Sequence, residues 1–163
     1  LSAQNLVPRI AIAIGSNLGN RVNAISFATS ELASLLTNFS VSETIETWPT
    51  GEGTEDQNLY LNAVAVGDTE LSPRRILESL LSIERACGRE RPYPNAPRTL
   101  DLDLILFGRN IVVEEDLEVP HPRFRDRFFV LGPLAEIAPD MVDPVTGLRV
   151  GELLRDLLRD ESR

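Results

Sequence analysis

Lysine is missing altogether, because all 16 basic residues are arginine. With it go the Walker-type phosphate lysine, the kinase strand lysine and Schiff-base chemistry. One cysteine and one histidine exclude an internal disulfide, cysteine-cluster metal sites and two-histidine zinc motifs. Any metal must then be held mainly by oxygen, which points to Mg²⁺, Mn²⁺ or Ca²⁺. A formal net charge of −9 argues against nonspecific nucleic-acid binding, since phosphate contacts need a cationic surface. A locally basic pocket stays open. No apolar run approaches the roughly 18 residues of a membrane span, and the opening residues lack the basic-then-apolar pattern of a secretory signal. A cytoplasmic protein is expected. The chain begins with Leu1, which fits a fragment or a processed product.

At 163 residues, with 42% hydrophobic and 25% charged side chains, the chain can bury one sizeable core, and a single domain over 1–163 is expected. RIAIAIGSN (Arg9 to Asn17) reads as a buried strand entering a turn. Asn20 to Leu36, with Val22, Ile25, Leu32 and Leu36 as its apolar positions, reads as an amphipathic helix. FSVSETIET (Phe39 to Thr47) alternates as one strand, Trp48 to Asn58 is a loop, and Leu59 to Val66 is a third strand. Ser72 as N-cap, Pro73 in the first turn, apolar Ile76, Leu80, Ile83 and Cys87, and Gly88 as the stop predict a second helix. An Arg/Pro loop, Arg89 to Arg98, leads into a strand from Thr99, expected to return as a hairpin through Gly108 into Ile111-Val112-Val113. Arg127 to Ile137 and Gly151 to Arg159 complete the helices. This order is that of an α+β, ferredoxin-like βαββαβ core with an added hairpin and helices toward the C-terminus.

The strand after Thr99 carries the chemistry. In TLDLDLILF, Leu100, Leu102, Leu104 and Leu106 share one parity, while Asp101, Asp103, Ile105 and Phe107 share the other. Alternation puts both carboxylates on one face with α-carbons roughly 6.5 Å apart. Like charges so close must be solvated, protonated, paired with arginine or bound to cations. A solvated strand end is the plain reading, but a face that ends in Ile105 and Phe107 does not simply meet water. Arg89, Arg91 and Arg98 precede the pair, and Arg123, Arg125 and Arg127 follow His121. Two carboxylates with arginine clamps suit transfer of a phosphoryl-type group, in which metal ions bridge phosphate oxygens and guanidinium groups absorb the departing charge.

RTLDLDLILFG, preceded by IERACGRER and followed by EVPHPRFRDRFFVLGPL, closely resembles the 6-hydroxymethyl-7,8-dihydropterin pyrophosphokinase family of folate biosynthesis. IAIGSNLG and TWPTGEGTEDQNLYLNA extend the resemblance from about Ile10 to Leu157. It implies transfer of pyrophosphate from ATP to the pterin hydroxymethyl oxygen with release of AMP. It also implies two Mg²⁺ on Asp101 and Asp103, with Arg89 and Arg98 joining them in catalysis. The implied ATP contacts are Glu84, Arg89, Arg91, Arg98, Leu104, His121 and Arg127. The implied pterin contacts are Gly15, Thr47, Tyr60, Asn62 and Phe129. Read from the residues alone, Glu84 continues the Leu77-Leu81 stripe and suits a structural role. Tyr60 and Asn62, two apart on a strand, share a face as one ring and one hydrogen-bonding edge require.

Departures from better-known members lie at Asn95 and Ala96, in a loop one residue shorter, and at Trp48, Leu81, Asp116 and Glu118. They motivate a rival, a ferredoxin-like pterin- or nucleotide-binding module with reduced or no turnover. A dinucleotide binder built on GSNLGN lacks the glycine spacing, and an RNA-binding sheet fails on charge. The expected partners are the small molecules ATP and the pterin, acting on a monomer, with no nucleic acid or membrane.

Overall fold

The structure, a computed structural model, describes residues 7–49, 51–54, 57–88 and 99–162. Strand β1 (Arg9–Ser16) is followed by α1 (Arg21–Leu35), β2 (Thr37–Val41), β3 (Ile45–Thr47), β4 (Tyr60–Asp68), α2 (Pro73–Ala86) and β5 (Asp101–Phe107). A small hairpin, β6 (Val112–Glu114) and β7 (Leu117–Val119), then leads to α3 (Phe128–Ile137) and α4 (Val150–Glu161). The main sheet runs β2-β4-β1-β5, with β3 also on β4. All of its pairings are antiparallel. This is the ferredoxin-like arrangement expected from the element order.

Both helix starts follow local chemistry. Asn20 accepts from the Asn23 N–H and Ser72 from the Arg75 N–H, each cap contributing about 1 kcal/mol. Gly88 ends α2 at φ +81°, a conformation that glycine adopts without steric cost. In α1 the buried face is Ala24, Ile25, Ala28 and Leu32. Val22, expected in the apolar stripe, is 64% exposed in the first turn.

Two further expectations are corrected. The predicted strand over Phe39 to Thr47 is split into β2 and β3, both lying on β4. At the break Ser42 is buried, and its hydroxyl accepts from the Val64 N–H at 2.9 Å, replacing a backbone carbonyl. The predicted hairpin from β5 into Ile111-Val112-Val113 does not form, because β6 pairs with β7 instead. Gly108 N–H, which opens the expected turn, donates to the Arg9 carbonyl of β1.

The sheet buries both faces. Ile10, Ile12, Ile14, Leu102 and Leu104 pack against Ile25, Ala28 and Leu32 of α1 and Ile76, Leu80 and Ile83 of α2. On the opposite face, Ala11, Val64, Val66 and Ile105 pack against Val130, Leu131 and Leu134 of α3 and Val150 and Leu153 of α4. The strict alternation expected along β5 stops halfway. Ile12 pairs with Leu104 and Ala11 with Leu106, so Ile105 is an extra residue in a bulge. Leu106 therefore joins Ile105 on the α3/α4 side, and Phe107 turns to the α1/α2 side. Asp101 and Asp103 lie before the bulge and keep the shared face that alternation predicts.

Candidate active site

Helices α3 and α4 cover only part of their face of the sheet. Where that cover stops, a cleft of about 420 Å³ opens over the ends of β1, β4 and β5. Its floor is set by register. Gly15 pairs with Asn62 on one side and Asp101 on the other, and Ala13 pairs with Asp103. A side-chain carbon on Gly15 would sit 3.5 Å from both Asn62 Oδ1 and the Tyr60 ring. Glycine there keeps open the space between the amide and the carboxylates.

The walls come from three further segments. Thr47 of β3 pairs with Tyr60, and its hydroxyl accepts from Asn62 Nδ2 at 2.7 Å. The second Asn62 amide contact goes to the Ile45 carbonyl at 3.5 Å. Asn62 thus spends its donors on β3 and presents Oδ1 toward the cleft, while the Thr47 hydroxyl keeps its own proton to donate. Phe128, Phe129 and Val130, the first turn of α3, form the opposite wall with Asp126 and Arg127. The Arg127 guanidinium lies over the Phe129 ring, 5.5 Å from its centroid, a contact worth about 0.5–1 kcal/mol at a partly exposed site. The cleft therefore joins an apolar and aromatic end to an acidic end of half-buried Asp101 and Asp103.

The lip is formed by the loop after β3. Trp48, Pro49, Thr54 and Gln57 line the cleft. Buried Asn17, from the turn after β1, donates to Gln57 Oε1 at 2.8 Å, and Arg21 donates to the Leu59 carbonyl at 2.8 Å. The loop is thus fastened to the start of α1. Sequence reasoning flagged this loop by length but assigned it no residue after Thr47, and it missed Asp126 and Phe128 as cleft residues.

His121 stands on the chain between β7 and α3. Its N–H donates to the carbonyl of the bulged Ile105 at 2.9 Å, so the irregularity in β5 holds the histidine segment to the sheet. Nδ1 accepts from the Arg123 N–H at 3.1 Å, which leaves the neutral ring's proton on Nε2. Burial and the positive charge of Arg127, only partly offset by Asp101, lower its pKa from 6.5 to about 4. At neutral pH this is an uncharged N–H donor.

Of the expected site residues, Gly15, Thr47, Tyr60, Asn62, Asp101, Asp103, Arg127 and Phe129 line one cleft. Arg89, Arg91 and Arg98 lie outside the described residues, as do Asn95 and Ala96 and the rest of the Arg/Pro loop. Glu84 does not line the cleft. It is 2% exposed, and its Oε2 accepts from the Leu102 N–H at 2.6 Å on the outer edge of β5. Leu104 is buried among the α1/α2-side core residues. Arg125 leaves the arginine group altogether and binds Asp143 through two bonds of 2.6 and 3.0 Å. Asp116 and Glu114 pair with Arg74.

Asp101 and Asp103 fit hard divalent cations. Both are oxygen donors on one strand face, and the side chains across from them on β1, Gly15 and Ala13, are too small to fill the space. Among the described residues no group of three or more metal-binding side chains forms, so these two would leave most coordination positions to ligands outside the described chain. No helix among them is long and apolar enough to cross a membrane.

A family model described as 7,8-dihydro-6-hydroxymethylpterin-pyrophosphokinase (HPPK) matches residues 11–139. A 2-amino-4-hydroxy-6-hydroxymethyldihydropteridine pyrophosphokinase of Bacillus subtilis is 42% identical over 83% of this chain and 81% of its own. The protein of that name from Methylorubrum extorquens is 39% identical over 91% of this chain and 93% of its own. The Folic acid synthesis protein fol1 of Pneumocystis carinii is 36% identical, but this chain spans 20% of its length. Among solved structures, wild-type HPPK-DHPS of Plasmodium falciparum superposes with a TM-score of 0.73 over 97% of this chain and 46% of that one. At 13% identity that likeness speaks for the fold alone. The chain belongs to the 7,8-dihydro-6-hydroxymethylpterin-pyrophosphokinase family, an ATP-using pyrophosphokinase.

Proposed function

We propose that the chain transfers pyrophosphate from ATP to the hydroxymethyl oxygen of 6-hydroxymethyl-7,8-dihydropterin, releasing AMP, and that it acts as a single-domain cytoplasmic monomer. The observation that carries this reading is one cleft in which an aromatic, amide-edged end meets a pair of carboxylates across a glycine. A flat heterocycle fits between Tyr60 and Phe129, with donors on its edge read by Asn62 Oδ1 and an acceptor read by the Thr47 hydroxyl. Its hydroxymethyl group then points past Gly15 toward Asp101.

The triphosphate enters from the β5 side, where Asp101 and Asp103 would hold two Mg²⁺ brought with ATP. Bound there, these ions would neutralise phosphate charge and lower the pKa of a nearby alcohol. Arg127 and the neutral Nε2–H of His121 donate to phosphate oxygens, and we assign Arg89, Arg91 and Arg98 to the same anion. The pterin hydroxyl oxygen forms a bond to the β-phosphorus as the bond from that phosphorus to the α,β-bridging oxygen breaks. AMP leaves with the bridging electrons, and the hydroxyl proton passes to water. Positioning supplies most of the acceleration in such a transfer.

The test is AMP formation from ATP, Mg²⁺ and the pterin. The wild-type chain should release AMP, and Asp101→Asn or Asp103→Asn should abolish it while leaving the circular dichroism spectrum unchanged. Binding of both substrates without AMP in the wild type would convert the reading to a binding module. Near-normal turnover in both variants would refute the metal assignment.

A further inference from the structure

The chain has one tryptophan, and it lines the cleft while 76% exposed. A large aromatic left this wet at the mouth of a cleft has apolar area to lose on contact with a ligand. Its position is not free to wander. Trp48 follows directly on Thr47, whose backbone pairs with Tyr60 and whose hydroxyl receives the Asn62 amide. Pro49, with its fixed φ, comes next and also lines the cleft. Further along, buried Thr54 donates to the Gly51 carbonyl at 2.7 Å, and Gln57 and Leu59 are held by Asn17 and Arg21. The loop is fastened at both ends and the indole projects from its fastened base.

We propose that Trp48 is a substrate-recognition residue, a third aromatic surface that contacts the bound pterin. This rests on the pterin reading above. The side of the cleft decides which ligand it meets. Asn62 and Asp101 pair with opposite edges of Gly15, and Trp48 extends from the strand on the Asn62 side. It therefore serves the heterocycle and not the triphosphate. Tyr60 and Phe129 supply walls from β4 and α3, and Trp48 supplies cover from the lip, excluding water from the ring edge that Asn62 and Thr47 read.

Calorimetric titration with the pterin, in the presence of a non-hydrolysable ATP analogue, tests this in wild type, Trp48→Ala and Trp48→Phe. Trp48→Ala should weaken the pterin about tenfold, about 1.4 kcal/mol, and Trp48→Phe should recover most of that. Affinity for the ATP analogue alone should stay within about twofold, and the pterin KM should rise more than kcat falls. Acrylamide quenching of the sole tryptophan should drop when the pterin binds. Equal pterin affinity in wild type and Trp48→Ala, or unchanged quenching on binding, overturns the proposal while leaving the pterin site standing. If wild type binds no pterin, the functional reading itself fails.

Discussion

Glu84 offers the sharpest test of how the aspartate pair is held in place. The family resemblance gives this residue to the nucleotide, whereas the structure puts it beneath β5. The strand is the outer one of its sheet, so alternate backbone N–H groups on its free edge need acceptors. Glu84 Oε2 supplies one at 2.6 Å to Leu102, the residue between Asp101 and Asp103. Replacing Glu84 with Leu keeps bulk but leaves that N–H buried without an acceptor, at a cost of about 1–3 kcal/mol. Glu84→Gln retains an acceptor oxygen and should lose about half as much. For a chain of this size 1 kcal/mol corresponds to about 2–4 °C in Tm. Glu84→Leu should therefore melt roughly 2–12 °C lower, with a matching fall in the urea midpoint. AMP formation should fall with it, because Leu102 is the link between the two carboxylates, and Glu84→Gln should restore part of both. If both variants melt with wild type while affinity for the ATP analogue collapses, Glu84 is a nucleotide contact and the strand argument is wrong.

The remaining expectations concern three other polar groups. Asn62→Leu removes the acceptor and both contacts to β3, and should weaken the pterin by about 1–3 kcal/mol with little change for the ATP analogue; an equal loss for both ligands would misplace the pocket. His121, the only histidine, should titrate by NMR near pH 4 in the protein without nucleotide, and a midpoint above 6 would contradict its half-buried, arginine-flanked setting. Because its folded pKa lies below the unfolded value, the neutral ring's contribution is full above about pH 6.5 and is lost as pH falls toward 4. Asp143 is fully buried. Burial raises its pKa, but hydrogen bonds from Arg125, Thr146 and the Val145 N–H outweigh that and leave it below the ordinary value. Asp143→Asn should therefore cost about 3 kcal/mol at pH 7, measured by urea unfolding. The gap to wild type should close as acid protonates the native carboxylate, and a gap independent of pH would rule out the charge as its source.

What could be read in advance divides by the range of the forces involved. Helix α2 was legible to within a residue because its cap, its first-turn proline, its apolar spacing and its terminal glycine all act within a few positions. Tyr60 and Asn62 share a face on one strand, and Asp101 and Asp103 share one on theirs, because a strand alternates whatever it pairs with. The bulge at Ile105 had no such signal. It exists because β1 and β5 match on either side of a one-residue mismatch, and only pairing reveals that. The same holds for the arginines after His121. Spacing of two reads as one cluster, but a turn of 3-10 helix over Phe124–Asp126 sends Arg125 to Asp143, while Arg127 goes to the cleft.

The bulge marks the point at which the strand passes from binding platform to core. Before it, Asp101 and Asp103 lie opposite Gly15 and Ala13, on the part of the sheet that α3 and α4 leave bare. At it, Ile105 turns its side chain into the core beneath those helices and its carbonyl to His121. The extra residue anchors, through its carbonyl, the chain that runs by way of His121 to Arg127 at the cleft. A variant sequence without that residue would restore strict alternation, with Leu106 still on the α3/α4 face and Phe107 still on the α1/α2 face, and would break the His121 anchor. The basic segment is thus held to the sheet by a backbone irregularity just beyond the acidic pair.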